Sequence, residues 1–298
     1  MIYQLIPLAI FLASMIVPLC TVFWVRHQRR DRRSPLTIQM LRAPGESITQ
    51  QVEAISEDLD TYIFTSTFVP LVCFAMYVSS RYLGGNVQVS WKVYLFLAFV
   101  AMIFVCDKIV SLLKKRHNLC LGLDCERAVG QELNQLMLDG YRVFHDFPTE
   151  DFNIDHIVVG PSGVFAVETK GRAKPMGKGD KKNWSVIFDG QTLQFPNWTE
   201  REFLPQARRQ AEWLAKWLSS AVGEQVQVRP VLALPGWYIE RQKPTDVYLF
   251  NGKNPLAWAG RNTETSLSDS LIQRIVHQVE QKCRDIEPSA YKKEKKSN

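Results

Sequence analysis

The sequence predicts a membrane-anchored α/β protein, and three observations support that fold class. Long apolar runs are concentrated before residue 113 of the 298-residue chain. Beyond that point, short strand-like runs alternate with amphipathic helices, a pattern typical of a mixed α/β domain. The composition is 46% hydrophobic and 22% charged with a net charge of +6, which excludes a disordered or fibrous chain.

Three apolar runs, 2–25, 61–80 and 93–113, are long enough to cross a membrane as helices. About 20 helical residues span the roughly 30 Å hydrocarbon core of a bilayer. No basic residue precedes the first run and an arginine cluster follows it, so we expect an uncleaved anchor rather than a signal peptide. Asp107 and Lys108 interrupt the third run near one end, at the interface or paired with a neighbouring span.

Basic residues flank these runs unevenly and predict the orientation of the chain. The loop 26–60 contains the arginine cluster, and Lys114, Lys115 and Arg116 follow the third run. The positive-inside rule places the N-terminus outside and both basic segments inside. The arginines would also suit anionic lipid, a lower-ranked alternative in which the chain is an anchoring or signalling protein. The predicted domains are a membrane anchor over 1–118, a cytoplasmic domain over 119–287 and a basic tail over 288–298.

The inner loop contains a predicted helix of its own. Ser47 and Gln50, just after Pro44-Gly45, have the spacing of a capping box. Apolar residues then recur at spacings of four, three and four, which predicts a short amphipathic helix leading into the second span. Its apolar face is formed by Ile48, Val52, Ile55 and Leu59. We expect this face to pack against the cytoplasmic domain, with a coiled-coil or docking surface as the alternative.

The cytoplasmic domain is predicted to contain three helices and several short strands. Asp139-Gly140 closes the first helix, and Asp189-Gly190 marks a hairpin turn. Trp213 and Trp217 mark the core face of the second helix. The predicted elements are, in order, a helix over 122–139, strands over 141–145, 154–159, 164–169, 184–188 and 192–195, a helix over 203–220, strands over 228–234 and 247–250, and a helix over 267–283.

Two acidic residues and a lysine are predicted to converge on one hairpin. If Gly160-Pro161-Ser162-Gly163 is the loop, Val159 pairs with Val164 and Asp155 lies opposite Glu168. Lys170 is two residues further on and projects from the same face as Glu168. Two such carboxylates suit Mg²⁺ or Mn²⁺, and a nearby lysine can activate water for phosphodiester hydrolysis. Composition alone favours the alternative of a solvated ion pair.

Four stretches of the sequence resemble the nuclease-related domain (NERD) family of the PD-(D/E)XK nuclease superfamily. The resemblance covers residues 119–235. It implies a restriction-endonuclease-like central sheet flanked by helices, and a bacterial inner-membrane location for the anchored protein. The matching stretches are Glu126 to Val129, Asn153 to Gly160, Gly163 to Lys170, and Pro205-Gln206.

The resemblance implies roles for individual residues. Asp155 and Glu168 would bind the metal, with the backbone carbonyl of Thr169 as a further ligand, and Lys170 would be catalytic. The family commonly has Gly-Glu in the first helix, where this chain has Cys125-Glu126.

Two acidic residues of the first helix are candidates for the metal site. Glu126 lies near the inward arc of Val129, Leu133, Leu136 and Met137, whereas Glu132 lies about 90° away. A carboxylate on an apolar face needs a partner, which favours Glu126.

Other residues are candidates for binding nucleic acid. Gln206, Arg209 and Gln210 can share one helix face and hold a phosphate or the catalytic lysine, or simply form a polar edge. Arg172 and Lys174 lie in a basic glycine-containing loop that suits a phosphate backbone or is only solvated. His156 points away from Asp155, and we expect a satisfied core histidine.

The predicted function is a membrane-anchored nuclease that uses Mg²⁺ or Mn²⁺, with DNA a better candidate substrate than RNA. It would contact lipid through three spans. The alternative is a catalytically silent module that binds nucleic acid or protein at the membrane. The residues themselves leave open endonuclease or exonuclease action, the biological process and the oligomeric state.

Overall fold

The computed structural model describes residues 16–18, 20–25, 27–28, 35–83, 89–175, 184–260 and 266–288. The chain divides into two compact units, one of residues 1–41 with 284–298 and one of residues 42–283. In the first unit, residues 16–18 and 20–25 are helical. Strand β1 (Met40–Leu41) there pairs antiparallel with β11 (Arg284–Ile286).

Two long helices begin the second unit, α1 (Glu46–Leu83) and α2 (Trp91–Asn134). Both are long and apolar enough to cross a membrane by length and composition, and they contain the predicted spans 61–80 and 93–113. Their apolar windows are almost entirely exposed, unlike the core helix of a soluble protein. The prediction of three spans is therefore reduced to two such helices in the described part of the chain, since most of 2–25 lies outside it.

The predicted amphipathic helix and the second span form one continuous helix, α1. Ile55 and Leu59 are buried, which confirms the predicted apolar face. The capping box is wrong, because the helix begins at Glu46 and the Ser47 hydroxyl bonds to Asp146 rather than to Gln50. A tertiary carboxylate has replaced the local cap.

The third span and the first predicted cytoplasmic helix also form one helix, α2, which passes residue 118 without a break. A 3₁₀ helix (Gln135–Asp139) follows and ends at Gly140, whose φ of 83° is the left-handed conformation expected of this cap. The tighter 3₁₀ geometry turns Met137 outward, so its predicted place on the inward arc is wrong.

A five-stranded mixed sheet forms the centre of the unit, in the order β10-β8-β4-β3-β2. Strands β2, β3 and β4 form an antiparallel meander, and β8 and β10 continue the sheet parallel to β4. The strands are β2 (Arg142–Pro148), β3 (Asn153–Gly160), β4 (Gly163–Thr169), β8 (Val228–Ala233) and β10 (Tyr248–Phe250).

Helices cover both faces of this sheet, which buries its strands on both sides. Val129, Leu133 and Leu136 pack on one face together with Val158 and Phe165. On the other face lie α3 (Phe203–Val222) and α5 (Asp269–Cys283). The predicted tryptophan stripe of α3 is confirmed, because Trp213 and Trp217 pack against Phe147.

A second, four-stranded sheet has the order β7-β6-β5-β9. The predicted turn at Asp189-Gly190 is confirmed, with Phe188 paired to Leu193. The Asp189 carboxylate accepts hydrogen bonds from the backbone N–H of Gln191 and Thr192, which fixes the turn. Its strands are β5 (Ser185–Phe188), β6 (Leu193–Gln194), β7 (Thr199–Glu200) and β9 (Tyr238–Arg241), and the short helix α4 (Leu256–Ala259) follows β10.

Candidate active site

The β3–β4 hairpin sets the geometry of the site. Val159 pairs with Val164 as predicted, although the loop is shorter than expected because Gly160 pairs with Gly163. A Cβ at Gly160 would lie 2.1 Å from the Tyr141 ring, so only glycine fits there. The ladder continues to the pair His156–Val167, and Asp155 and Glu168 occupy the next position.

Asp155 is held by the neighbouring strand. One carboxylate oxygen, Oδ2, accepts a hydrogen bond from the backbone N–H of Thr169 at 2.6 Å. This bond fastens Asp155 beside Glu168 where the backbone ladder ends.

Glu168 is almost fully buried, with 3% of its surface exposed. Its Oε1 accepts hydrogen bonds from Lys170 Nζ at 2.5 Å and from Gln206 Nε2 at 2.7 Å. Its second oxygen, Oε2, is buried and has no hydrogen-bond partner among the described residues. Burying an acceptor oxygen without a partner costs free energy of folding unless a cation or a water molecule binds to it.

Glu126 is buried on the inward face of α2, and Glu132 is less buried and bonds to Gln135. Burial, followed by the negative charges of Asp146 and Glu168, raises the pKa of Glu126 to about 8. The Lys170 ammonium acts in the opposite direction. Glu126 is therefore electrostatically part of the same site as Glu168 and Lys170.

The pKa of Asp155 is affected by the same crowding of carboxyl groups. Burial, followed by the charges of Glu168 and Glu126, raises its pKa well above the usual range. The Thr169 amide and Lys170 offset only part of this effect. We call Glu126, Asp155 and Glu168 the carboxylate cradle, because each of them feels the charge of at least one other member.

The cradle fits a hard divalent cation. Carboxylate oxygens are preferred ligands of Mg²⁺ and Mn²⁺, and no described residue bonds to Glu168 Oε2. In the described part of the chain, no three His, Cys, Asp or Glu side chains already form a ligand cluster. A metal here would therefore need oxygens from a backbone carbonyl or from water, which Mg²⁺ usually retains.

The remaining predicted residues lie around the cradle rather than in it. Lys170 and Arg172 both lie over the Phe203 ring, at 5.4 and 4.8 Å from its centroid. Lys174 lies over the Trp237 ring. On α3, Gln206 reaches Glu168 and Arg209 is exposed, whereas Gln210 is buried and donates to the Asn153 carbonyl at 3.3 Å.

His156 is fully buried, as expected of a core histidine, but it belongs to a pair. His145 and His156 share a hydrogen bond between their Nδ1 atoms at 2.9 Å, and Asn134 Oδ1 accepts from His145 Nε2. His156 Nε2 has no partner among the described residues, so the histidine is only partly satisfied. Burial lowers the pKa of His145 to about 4 and the pKa of His156 well below its usual range, so both are neutral near pH 7.

A buried ionic network behind the cradle has no counterpart in the sequence prediction. The Asp146 carboxylate accepts from Arg42 Nη1 at 2.8 Å, from Ser47 N at 2.9 Å and from Ser47 Oγ at 2.6 Å. The other carboxylate oxygen of Asp146 accepts a hydrogen bond at 3.2 Å from Asn153, which is two residues before Asp155 in β3. The start of α1 is thereby fastened to β2 and β3.

The turn that precedes α1 also contacts the cradle. A Cβ at Gly45 would lie 2.5 Å from Leu123 Cδ1 and 3.4 Å from Glu126 Oε2, and Gly45 has a φ of 70°. Pro44 packs equally closely on Gly130 of α2. In the sequence, the Pro44-Gly45 pair indicated a turn at this position, but it did not indicate the contact of that turn with the cradle.

The match to a known family covers this site. Residues 121–235 match the family model of NERD, the nuclease-related domain. No curated protein and no solved structure matches the chain. The matched segment includes the cradle together with Lys170 and Gln206, so this part of the chain is similar to the nuclease-related domain.

Proposed function

We propose that the protein is a membrane-anchored, divalent-metal-dependent nuclease that hydrolyses phosphodiester bonds, with DNA its better substrate than RNA. The main support is the buried Glu168, which lies beside Asp155. One of its oxygens accepts from Lys170, and the other has no partner within the described part of the chain. Buried charges are normally fully paired, and departures from that rule concentrate at functional sites. The match to the nuclease-related domain favours the same reading.

In this proposal Asp155 and Glu168 bind Mg²⁺ or Mn²⁺, with the Thr169 backbone carbonyl as a further ligand. Glu126 either binds the metal directly or holds one of its waters. When bound, the metal would lower the pKa of a water and stabilise charge on the phosphate oxygens. Burial and mutual repulsion oppose ionisation of all three carboxyl groups at once, and a bound cation would offset that repulsion.

Lys170 is the proposed catalytic residue. Its ammonium lies 2.5 Å from Glu168 Oε1 and over the Phe203 ring, so its position is fixed by two contacts. From there it can orient the attacking water or neutralise a phosphate oxygen. Gln206 donates to the same Glu168 oxygen, which keeps that carboxylate oriented if Lys170 moves toward substrate.

The topology supports a restriction-endonuclease-like fold. Helix α2, the antiparallel β2-β3-β4 meander, α3 and the parallel strand β8 occur in this order along the chain, with β5 to β7 inserted before α3. The cradle lies where β3 begins and β4 ends, next to α2 and α3. We propose that the nuclease-related domain uses this core in the manner of that superfamily.

The proposed nucleic-acid contacts are basic side chains next to the cradle. Arg172 and Lys174 follow Lys170 along the chain and are exposed above aromatic rings. Arg209 is exposed on α3, the helix that presents Gln206 to the cradle. Cations in these positions would bind phosphates on either side of the cleaved bond.

The membrane anchor is proposed to include α1, α2 and the first predicted span, with the N-terminus outside and the domain in the cytoplasm of a bacterial cell. The exposed apolar windows of α1 and α2 support this arrangement. From Leu113, the predicted end of the third span, to Glu126 is 13 helical residues, or about 20 Å. The cradle would therefore lie above the headgroup region of the membrane.

The test is a cleavage assay on the full chain in detergent micelles. The full chain is needed because α2 joins the span to the cradle and because residues from Arg42 onward belong to the same unit. Plasmid DNA, single-stranded DNA and RNA would be incubated with Mg²⁺, Mn²⁺ or EDTA. The variants are Asp155→Asn and Lys170→Ala, with Glu132→Gln as the matched acidic control on α2.

We expect metal-dependent cleavage that falls at least about 100-fold in Asp155→Asn and Lys170→Ala and is retained in Glu132→Gln. Binding of nucleic acid without any cleavage by the folded chain would support the silent binding module instead. Cleavage that survives both substitutions would place the active site elsewhere.

A further inference from the structure

A cavity of about 260 Å³ lies outside the proposed catalytic site, beside the edge strand β10. It is bounded by β9, β10 and the short helix α4 and contains no residue of the carboxylate cradle. Its lining combines aromatic rings, two amides and two cations, and includes Tyr238, Arg241, Asn251, Lys253, Asn254 and Trp258.

The cavity and the cradle lie at the same end of the parallel strands of the sheet. Thr169 of β4 pairs with Ala233 of β8, which pairs with Phe250 of β10, and all three strands are parallel. Their carboxyl ends therefore lie together at one end of the sheet, where α/β proteins commonly bind ligands. Asn251, Lys253 and Asn254 follow β10 directly, as Lys170 follows β4. Two strand spacings, about 10 Å, separate β4 from β10.

Tyr238, which lines the cavity, has an exposed ring beside the exposed ring of Trp184. Tyr238 is 46% exposed and Trp184 is 37% exposed, and the two rings meet edge to face with centroids 5.7 Å apart. The backbone N–H of Tyr238 donates to the Trp184 carbonyl at 3.0 Å, which holds Trp184, just before β5, beside the start of β9. Exposed aromatic faces beside cations are the surfaces on which unpaired bases stack.

The volume of the cavity and the hydrogen bonding of the edge strand β10 limit the classes of ligand that the cavity can bind. Pockets for complete small molecules usually measure about 300–1,000 Å³, so 260 Å³ suits a single base or nucleotide. An added peptide strand is disfavoured, because the Arg241 guanidinium already donates to the Leu249 carbonyl on β10.

We propose that this cavity binds one unpaired nucleotide of the substrate strand, next to the bond that the cradle cleaves. The inference rests on the proposed nuclease function and extends it to substrate class, namely single-stranded nucleic acid or a single-stranded segment beside a duplex. Stacking on Tyr238 supplies the contact with the base, and Lys253 supplies the contact with its phosphate.

The test is binding of a fluorescein-labelled single-stranded oligonucleotide to the full chain in micelles with EDTA, which prevents metal-dependent cleavage. Fluorescence anisotropy would compare wild type with Tyr238→Ala, Tyr238→Phe and Lys253→Ala. Lys282→Ala, an exposed lysine on α5, is the matched control. The same sequence as a blunt duplex and a free nucleoside monophosphate would be used as competitors.

We expect Tyr238→Ala to weaken binding at least about fivefold, Lys253→Ala to weaken it measurably, and Tyr238→Phe and Lys282→Ala to remain within about twofold of wild type. The duplex should compete poorly. Unchanged binding in Tyr238→Ala would overturn the proposal, as would complete displacement by the monophosphate at oligonucleotide concentrations, which would indicate a site for free nucleotides. Failure of the nuclease proposal would differ, because binding would then depend on Tyr238 while cleavage with metal stayed absent.

Discussion

Removing Arg42 should destabilise the domain although this residue lies more than 100 positions before Asp146 in the chain. The Arg42–Asp146 pair is 2.8 Å long, with only 13% and 5% of the two side chains exposed. Breaking such a buried pair typically costs about 3–5 kcal/mol. Asp146 keeps three hydrogen bonds to Ser47 and Asn153, so we expect the low end, about 3 kcal/mol.

Arg208→Ala is the matched control, because the Arg208–Asp246 pair has the similar length of 2.7 Å but exposes 37% and 62% of its side chains. Exposed pairs contribute about 0–1 kcal/mol. Thermal unfolding of the full chain in micelles, followed by tryptophan fluorescence, should show a Tm lower by about 6–12 °C for Arg42→Ala and by less than about 4 °C for Arg208→Ala. Equal losses in the two variants would refute the reasoning that burial makes the Asp146 network important.

Three further predictions concern stability. The pKa of Glu126 is raised from 4.5 to about 8, so the domain loses stability as pH rises between those values. Mg²⁺ should raise the Tm more near pH 8 than near pH 6, and Glu126→Gln should reduce that difference. The pKa of His145 is lowered from 6.5 to about 4, so the protein loses about 1.4 kcal/mol of folding stability per pH unit as pH falls through that range. The difference in Tm between wild type and His145→Gln should therefore shrink on acidification. Gly122→Ala should stabilise α2 by up to about 1 kcal/mol, because the nearest atom to its new Cβ lies at 3.7 Å, whereas Gly130→Ala should destabilise it, because Pro44 lies at 2.7 Å; equal Tm shifts would contradict this.

The site was predictable from sequence where its geometry is local. The register from Val159–Val164 back to Asp155 follows from a period of two and a short loop, and the structure keeps that register. The inward position of Glu126 follows from helical periodicity, because Val129 and Leu133 on the same helix are buried.

The parts that the sequence did not predict depend on long-range contacts. Ser47 and Asp146 are 99 residues apart, so the replacement of the Ser47–Gln50 capping box by a tertiary carboxylate left no local signal. The continuity of α2 across residue 118 was missed for another reason. The apolar pattern changes there from a membrane span to an amphipathic stripe, but nothing in that stretch ends a helix.

The most direct test of the central claim is the rate of single-turnover cleavage of a labelled single-stranded DNA by the full chain, compared between wild type and Glu168→Gln. This substitution preserves the shape of the side chain and removes the charge that a cation requires. We predict cleavage by wild type with Mg²⁺ or Mn²⁺, none with EDTA, and a loss of at least about 100-fold in Glu168→Gln. Cleavage by Glu168→Gln at the wild-type rate, or cleavage in EDTA, would contradict the account.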